Sequence, residues 1–445
     1  MAKSRVSLVI FILLCMAAFA CTRPETTATK TPTPPNQMVT TATPPQQPCP
    51  AEASWITAPN PPTEIGGPNV PVGSETNCQF YQFAYQWFFS MVQPTGQPDE
   101  LKFETLTLFQ PNMKNQCAAP KLTGLANIPK VLFVRTQKPS TNDFDPVLPK
   151  DIQQASGNVA LYDKDKNVVL YNVFYSPNEC QATASGFQPN TIEIKTSWRI
   201  LPGADPTYYT IQAQVEGLPQ KQVTLGLIGF HLVINTQLHP EFVWATFEHI
   251  ANAPECANPQ SAPPAGWSFL NSSCAACLAQ NGFNGCPQCS LNTPASQNPG
   301  ITGPPTQVCR FYHDGTDPGS MTNGNNNDTN RFNIDTLNSQ IATFLGSSGT
   351  MAVWKNYTLV SGLWTNGGVD SSTPNEQRGS LEAANTTMET FVQSPPNQSN
   401  CFSCHGYAKA QPLTVSHIIS DLLAPSIAPK RSKEMKSAGV APASP

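Results

Sequence analysis

Aromatic residues crowd the segment from Phe80 to Phe89 (FYQFAYQWFF) at helical as well as adjacent spacings, a pattern that predicts a buried amphipathic helix. The period then shortens. Runs of β-branched and aromatic residues, bounded by Pro, Gly, Asn or Asp, recur at 131–135, 158–162, 167–175, 191–198, 207–215, 222–235 and 242–247 and read as strands. The polar stretch 163–167 (DKDKN) predicts a hairpin turn between two of them. No long helices alternate with the strands, which argues against a parallel sheet. The expected class is therefore α+β, mainly β: an antiparallel sheet or sandwich with a few helices. Residues 256–330 lose both periods and read as a loop-like insert. Helical periodicity returns at 331–345 and 380–392, either side of a strand-like run at 351–360.

Composition sharpens this picture at the N-terminus. Lys3 and Arg5 precede an apolar run over 6–20, the n-region and h-region of a signal peptide occupying 1–20. The run closes on Ala17-Ala-Phe-Ala-Cys21, which resembles a bacterial lipoprotein signal whose cysteine, Cys21, takes the lipid; Ala18 stands where that pattern favours Leu. Residues 21–75, rich in Pro and Thr and poor in aliphatics, are expected to be a disordered tether, and 431–445 a disordered tail. By the sorting rule that this lipoprotein resemblance implies, Thr22 after the cysteine, rather than Asp, points to the outer membrane, facing the periplasm or the cell surface. Only 12% of residues are charged, and the net charge is −4. Without a basic excess there is nothing to neutralise phosphates, so nucleic acid is excluded as a partner. Beyond residue 20 no stretch of 18 apolar residues occurs, which excludes a polytopic membrane protein.

Fourteen cysteines remain to be explained, twelve of them beyond Cys15 and Cys21. In an exported chain the default is disulfide bonding. Cys256, Cys274, Cys277, Cys286, Cys289 and Cys309 lie in the 256–330 insert, and their two Cys-x-x-Cys pairs fit either disulfide staples or a zinc ribbon. The oxidising compartment favours staples. Cys401-Phe-Ser-Cys-His405 differs because a histidine follows it. That is the attachment sequence for c-type haem, in which both thiols bond the haem and the histidine is the proximal iron ligand.

Seven segments, in order, resemble a family of largely uncharacterised bacterial monohaem cytochrome c proteins: 83–89, 192–198, 226–233, 244–252, 353–359, 384–390 and 400–405. The resemblance implies an exported protein with one covalent haem c and brings no reaction with it. The long proline tether and the cysteine-rich insert depart from that family.

One imidazole, from His405, leaves the sixth iron position to be filled or left open, and that choice separates electron transfer from ligand chemistry. His231, in an apolar strand, is the leading distal candidate, followed by His239, His249, His313 and His417 and by Met388, Met351 and Met321. The expected organisation is a β-rich domain over 76–255, the insert, and a haem-attachment region over 331–430. The expected function is electron transfer in the cell envelope with a redox partner protein. The alternatives are a haem enzyme with an open site, acting on peroxide or oxygen with His231 or His249 as distal acid/base, and a surface binding module with a structural haem. The carboxylates Asp163 and Asp165 are expected to be solvated.

Overall fold

The computed structural model describes residues 49–109, 115–118, 130–131, 161–214, 222–293, 306–311, 327–346, 349–382, 384–393 and 400–423. The signal segment, Cys21, the tail, His313 and Met321 lie outside them.

The fold is α+β and mainly β, centred on one nine-stranded sheet. The strands are β1 (Thr107–Leu108), β2 (Lys130–Val131), β3 (Leu170–Tyr175), β4 (Ile192–Leu201), β5 (Thr210–Gln214), β6 (Val223–Ile234), β7 (Val243–His249), β8 (Tyr357–Thr365) and β9 (Gln377–Gly379). Their main order is β1-β3-β4-β6-β7-β8-β9, with β5 also on β6 and β2 on β5. All pairings are antiparallel except β2 with β5. Among the described residues the sheet is single rather than a sandwich, with helices and not a second sheet on its apolar face.

That cover is α2 (Asn77–Met91), which begins with a capping box between Thr76 and Gln79, and α4 (Asn327–Leu345). Alternate residues of the strands meet them. Phe88 stacks on Phe247 at a centroid distance of 4.2 Å and meets Phe230 and Trp354 edge-on. Ile194, Leu232, Ala245 and Leu359 belong to the same aromatic-rich core. Among the described residues no helix is long and apolar enough to cross a membrane.

The tether expected over 21–75 ends sooner than its composition implied. Cys49 is bonded to Cys78, and α1 (Ser54–Thr57) buries Trp55 and Ile56 beside Ile65 in the main core. A few apolar residues and one disulfide are enough to dock a proline-rich segment.

The insert is stapled as expected: Cys256–Cys309, Cys274–Cys289 and Cys277–Cys286 are disulfides, and Cys117–Cys180 is another. Its helix α3 (Ser272–Asn281) starts under an Asn271 cap. The cysteines form most of a small cluster with Trp267, Leu270, Leu278 and Leu291, a core too thin to hold itself without covalent ties.

Three local readings are corrected. Residues 384–393 form turns instead of the helix expected over 380–392. The Asn385 carboxamide oxygen accepts from the backbone and hydroxyl of Thr387, a local bond that competes with helix. The strand expected at 351–360 starts only at Tyr357, after a 3-10 turn over Ala352–Asn356. Asp163 is fully buried rather than solvated, and its carboxylate pairs with Arg199, as does that of Asp165.

Candidate haem-attachment site

The second face of the sheet carries a row of polar residues. Lys195, His231, Thr246 and Ser361 are register partners across β4, β6, β7 and β8, so their side chains line up on one face. Both register irregularities of the central strands fall next to this row, at Ser197/Trp198 and Thr246/Phe247. Bulges of this kind re-aim neighbouring side chains.

The 384–393 segment is fastened over the row by hydrogen bonds. Asn385 donates to Thr246 Oγ1 (2.8 Å), and Tyr171 donates to the Thr387 carbonyl (2.7 Å). Glu248, fully buried, accepts from the Thr386 backbone and hydroxyl and pairs with Arg310. Gly229 admits this close approach: a Cβ there would lie 2.5 Å from Ser197 Oγ and 2.7 Å from Thr387 Oγ1. The segment also delivers Glu389, whose Oε1 lies 3.0 Å from His231 Nε2. Burial alone would raise the Glu389 carboxyl, but the His231 charge and hydrogen bond, together with Lys195, hold it below its ordinary value. Burial takes the Lys195 ammonium below its usual range, opposed by the attraction of Glu389.

Cys401 opens onto the same cleft, together with His231, Trp244, Asn385 and Glu389. It starts α5 (Cys401–Cys404), a single turn beginning at Asn400, whose carboxamide donates to the Leu381 carbonyl. Cys401 and Cys404 are the two unpaired cysteines among the described residues. Burial raises both thiols, with the negative charge of Glu389 adding to the effect.

His405 follows, half-buried. Its Nδ1 donates to the Val415 carbonyl at 2.8 Å, which leaves Nε2 as the lone-pair nitrogen. Burial, with the His417 ring against it, holds this imidazole well below its ordinary value. The rings of His405 and His417 stack at 3.7 Å, and Trp244 lies at 4.5 Å on β7. Exposed His417 is itself fixed through Nε2 to the Cys404 carbonyl.

Of the other described histidine and methionine candidates, His417 packs against His405 itself, and the rest lie away from Cys401. His249 is not a surface residue. It stacks on Tyr208 at 3.9 Å, bonds the Thr207 carbonyl, and is pushed down to about 4 by burial. His239 is held between Glu75 and Glu241. Met388 is a core residue beside Phe391 and Val308, and the Met351 sulfur faces Gln93. Lys195, Glu389 and Trp244 were not singled out as site residues by sequence reading, since only the register and the folding back of 384–393 gather them.

The donor set fits a c-type haem: two thiols free of disulfides, an imidazole with Nε2 available, and a hydrogen bond that fixes the ring. Compared with protein-family models, curated proteins and solved structures, the chain matches none.

Proposed function

We propose that this chain is an exported, lipid-anchored protein holding one covalent haem c, which serves electron transfer in the cell envelope. The observation that carries the reading is His405 Nδ1 bonded to Val415 O beside two thiols left unpaired while ten other cysteines are paired. Cys401 and Cys404 hold the group by thioether bonds, and His405 Nε2 binds the iron. When bound, the haem supplies a one-electron iron couple. The Val415 carbonyl and the stacked His417 keep the imidazole from rotating. Lys195, Glu389 and His231 set the charge on the other side of the cleft. The protein should give a haem stain that survives denaturing electrophoresis and is absent from a Cys401→Ala, Cys404→Ala double variant. A stain that persists in the double variant overturns the reading.

A specific observation also favours the enzyme reading. His231 spends Nε2 on Glu389, as an acid/base pair does, instead of leaving it free as a ligand. In this reading the pair moves a proton to or from a small oxidant such as peroxide. Rapid carbon monoxide binding by the reduced protein is the expected sign of an open position. Indifference to carbon monoxide indicates two protein ligands and returns the assignment to electron transfer.

A further inference from the structure

Behind the His405 loop, a second group of buried oxygens has no role in the haem reading. Tyr175 and Glu193 are register partners on β3 and β4, so they project from the same face of the sheet. Glu179 sits on the 3-10 turn Pro177–Gln181 that follows β3, and the adjacent Cys180 ties that turn to Cys117. Ser416 comes from the loop between α5 and α6 (Ile419–Leu422). The carboxyls of Glu179 and Glu193 face each other with the Ser416 hydroxyl beside them, and the Tyr175 phenol lies within the field of Glu179.

Glu179 is 0% exposed, Tyr175 1% and Ser416 6%. Both carboxylate oxygens of Glu179, Oε1 of Glu193, Oγ of Ser416 and the Tyr175 hydroxyl are buried without a hydrogen-bond partner among the described residues. Buried polar atoms are nearly always satisfied, and buried charges are paired or bind metal. Five such oxygens on four neighbouring residues are therefore a specific departure from the rule.

We propose that Glu179, Glu193, Ser416 and Tyr175 form a site for a hard divalent cation of the calcium class. A proton shared between the carboxyls, with the Ser416 hydroxyl donating to one of them, still leaves the buried Tyr175 hydroxyl without a partner. Calcium takes six to eight oxygen ligands in flexible geometry, so it can use both carboxylates and the hydroxyls, with water completing the shell. Magnesium dehydrates reluctantly and demands a stricter octahedron, which suits this enclosed pocket less well. Among the described residues no three His, Cys, Asp or Glu side chains gather around a common point. The donor set here is two carboxylates and neutral oxygens, unlike the Cys and His sets that zinc favours. Burial and the mutual repulsion of the carboxyls push Glu179 well above its ordinary value when nothing lies between them, and a cation removes that repulsion.

The test uses the full mature chain, stripped with a chelator, re-equilibrated with calcium and gel-filtered, with metal content counted per chain rather than per haem. About one calcium per chain is expected in the wild type, with at least tenfold less in Glu193→Gln. The thermal midpoint of the wild type should rise with millimolar calcium and much less with millimolar magnesium, as ligand linkage requires. If Glu193→Gln does not fold, the wild-type midpoint decides alone. Background calcium with an unresponsive midpoint overturns the proposal in favour of a shared proton. Undiminished calcium in a folded Glu193→Gln overturns this choice of ligands. Failure of the haem assignment leaves both readouts intact, because neither depends on haem.

Discussion

The two faces of the sheet are made from the same strands and held by different forces. Under α2 and α4 the contacts are aromatic rings and aliphatic side chains in one continuous core. On the other face the apolar residues fall into separate clusters around Met388, Leu413 and Val415. The ground between them is polar and closed by side-chain hydrogen bonds to 384–393. An apolar face is strong but indifferent to detail, since hydrophobic burial has no direction. A hydrogen-bonded face is directional, and each lost partner leaves another group stranded. The proposed haem site lies on the directional face, where Lys195, His231, Glu389 and Cys401 are placed relative to one another.

This contrast can be broken most directly at Phe88, which touches Phe230, Phe247 and Trp354 at once. Phe88→Ala should cost roughly 4 kcal/mol by denaturant unfolding, with the whole fold losing stability cooperatively. A loss under about 1 kcal/mol would mean that the helix side is not the main source of stability.

On the polar face the corresponding change is Glu248→Ala, which takes the carboxylate away from Arg310 and the Thr386 donors. It should cost about 3 kcal/mol, and hydrogen exchange should rise first in 384–393 while the helix-side strands stay protected. Uniform deprotection would show that the two faces do not open separately.

Charge on the helix side gives a pH test. His239 meets Phe80 edge-on and is held between Glu75 and Glu241. Burial alone would lower it, but the hydrogen bonds it donates to Glu241 and Glu75 raise it to about 9. The folded chain therefore keeps this proton where the unfolded chain has released it. The contribution, on the order of 3 kcal/mol, is complete below about pH 6.5 and is lost as the pH rises through about 9. In His239→Gln the fall in stability over that range should flatten. An equally steep fall in the variant would assign it to other groups.

The smallest effect is expected at Gly229→Ala. The added methyl must displace Ser197 and Thr387, at a cost of about 1–2 kcal/mol. The loss should appear as a loosened 384–393 segment without a change in the aromatic near-ultraviolet signal of the other face.

Legibility in the sequence follows the same division. The α2 aromatics and the runs that became β3, β4, β6 and β7 could be read because their periodicity is local and their burial is continuous. The six insert cysteines were legible from compartment logic, though not their pairing. The 384–393 segment was misread because its conformation is set by partners such as Glu248 and Thr246, 138 and 139 residues away. His231 could be nominated as a lone imidazole in an apolar strand. Its bond to Glu389, across 158 residues, could not. Glu193 carried no signal of its own in the 192–198 run, because Glu179 and Ser416 meet it only in the folded chain.

The order of these pieces along the chain has a consequence for assembly. The last described strand ends at Gly379, so a chain made from its N-terminus has every described strand in hand before Cys401 emerges. The aromatic side can form early from α2 and the strands nearest it in sequence. The two thiols and the imidazole arrive last, on short turns that fold back onto a surface already built. Val415, Ser416 and His417 then close the loop, the first through its carbonyl to His405 and the last through its ring. Under the haem proposal, attachment at Cys401 and Cys404 therefore follows the synthesis of every described strand.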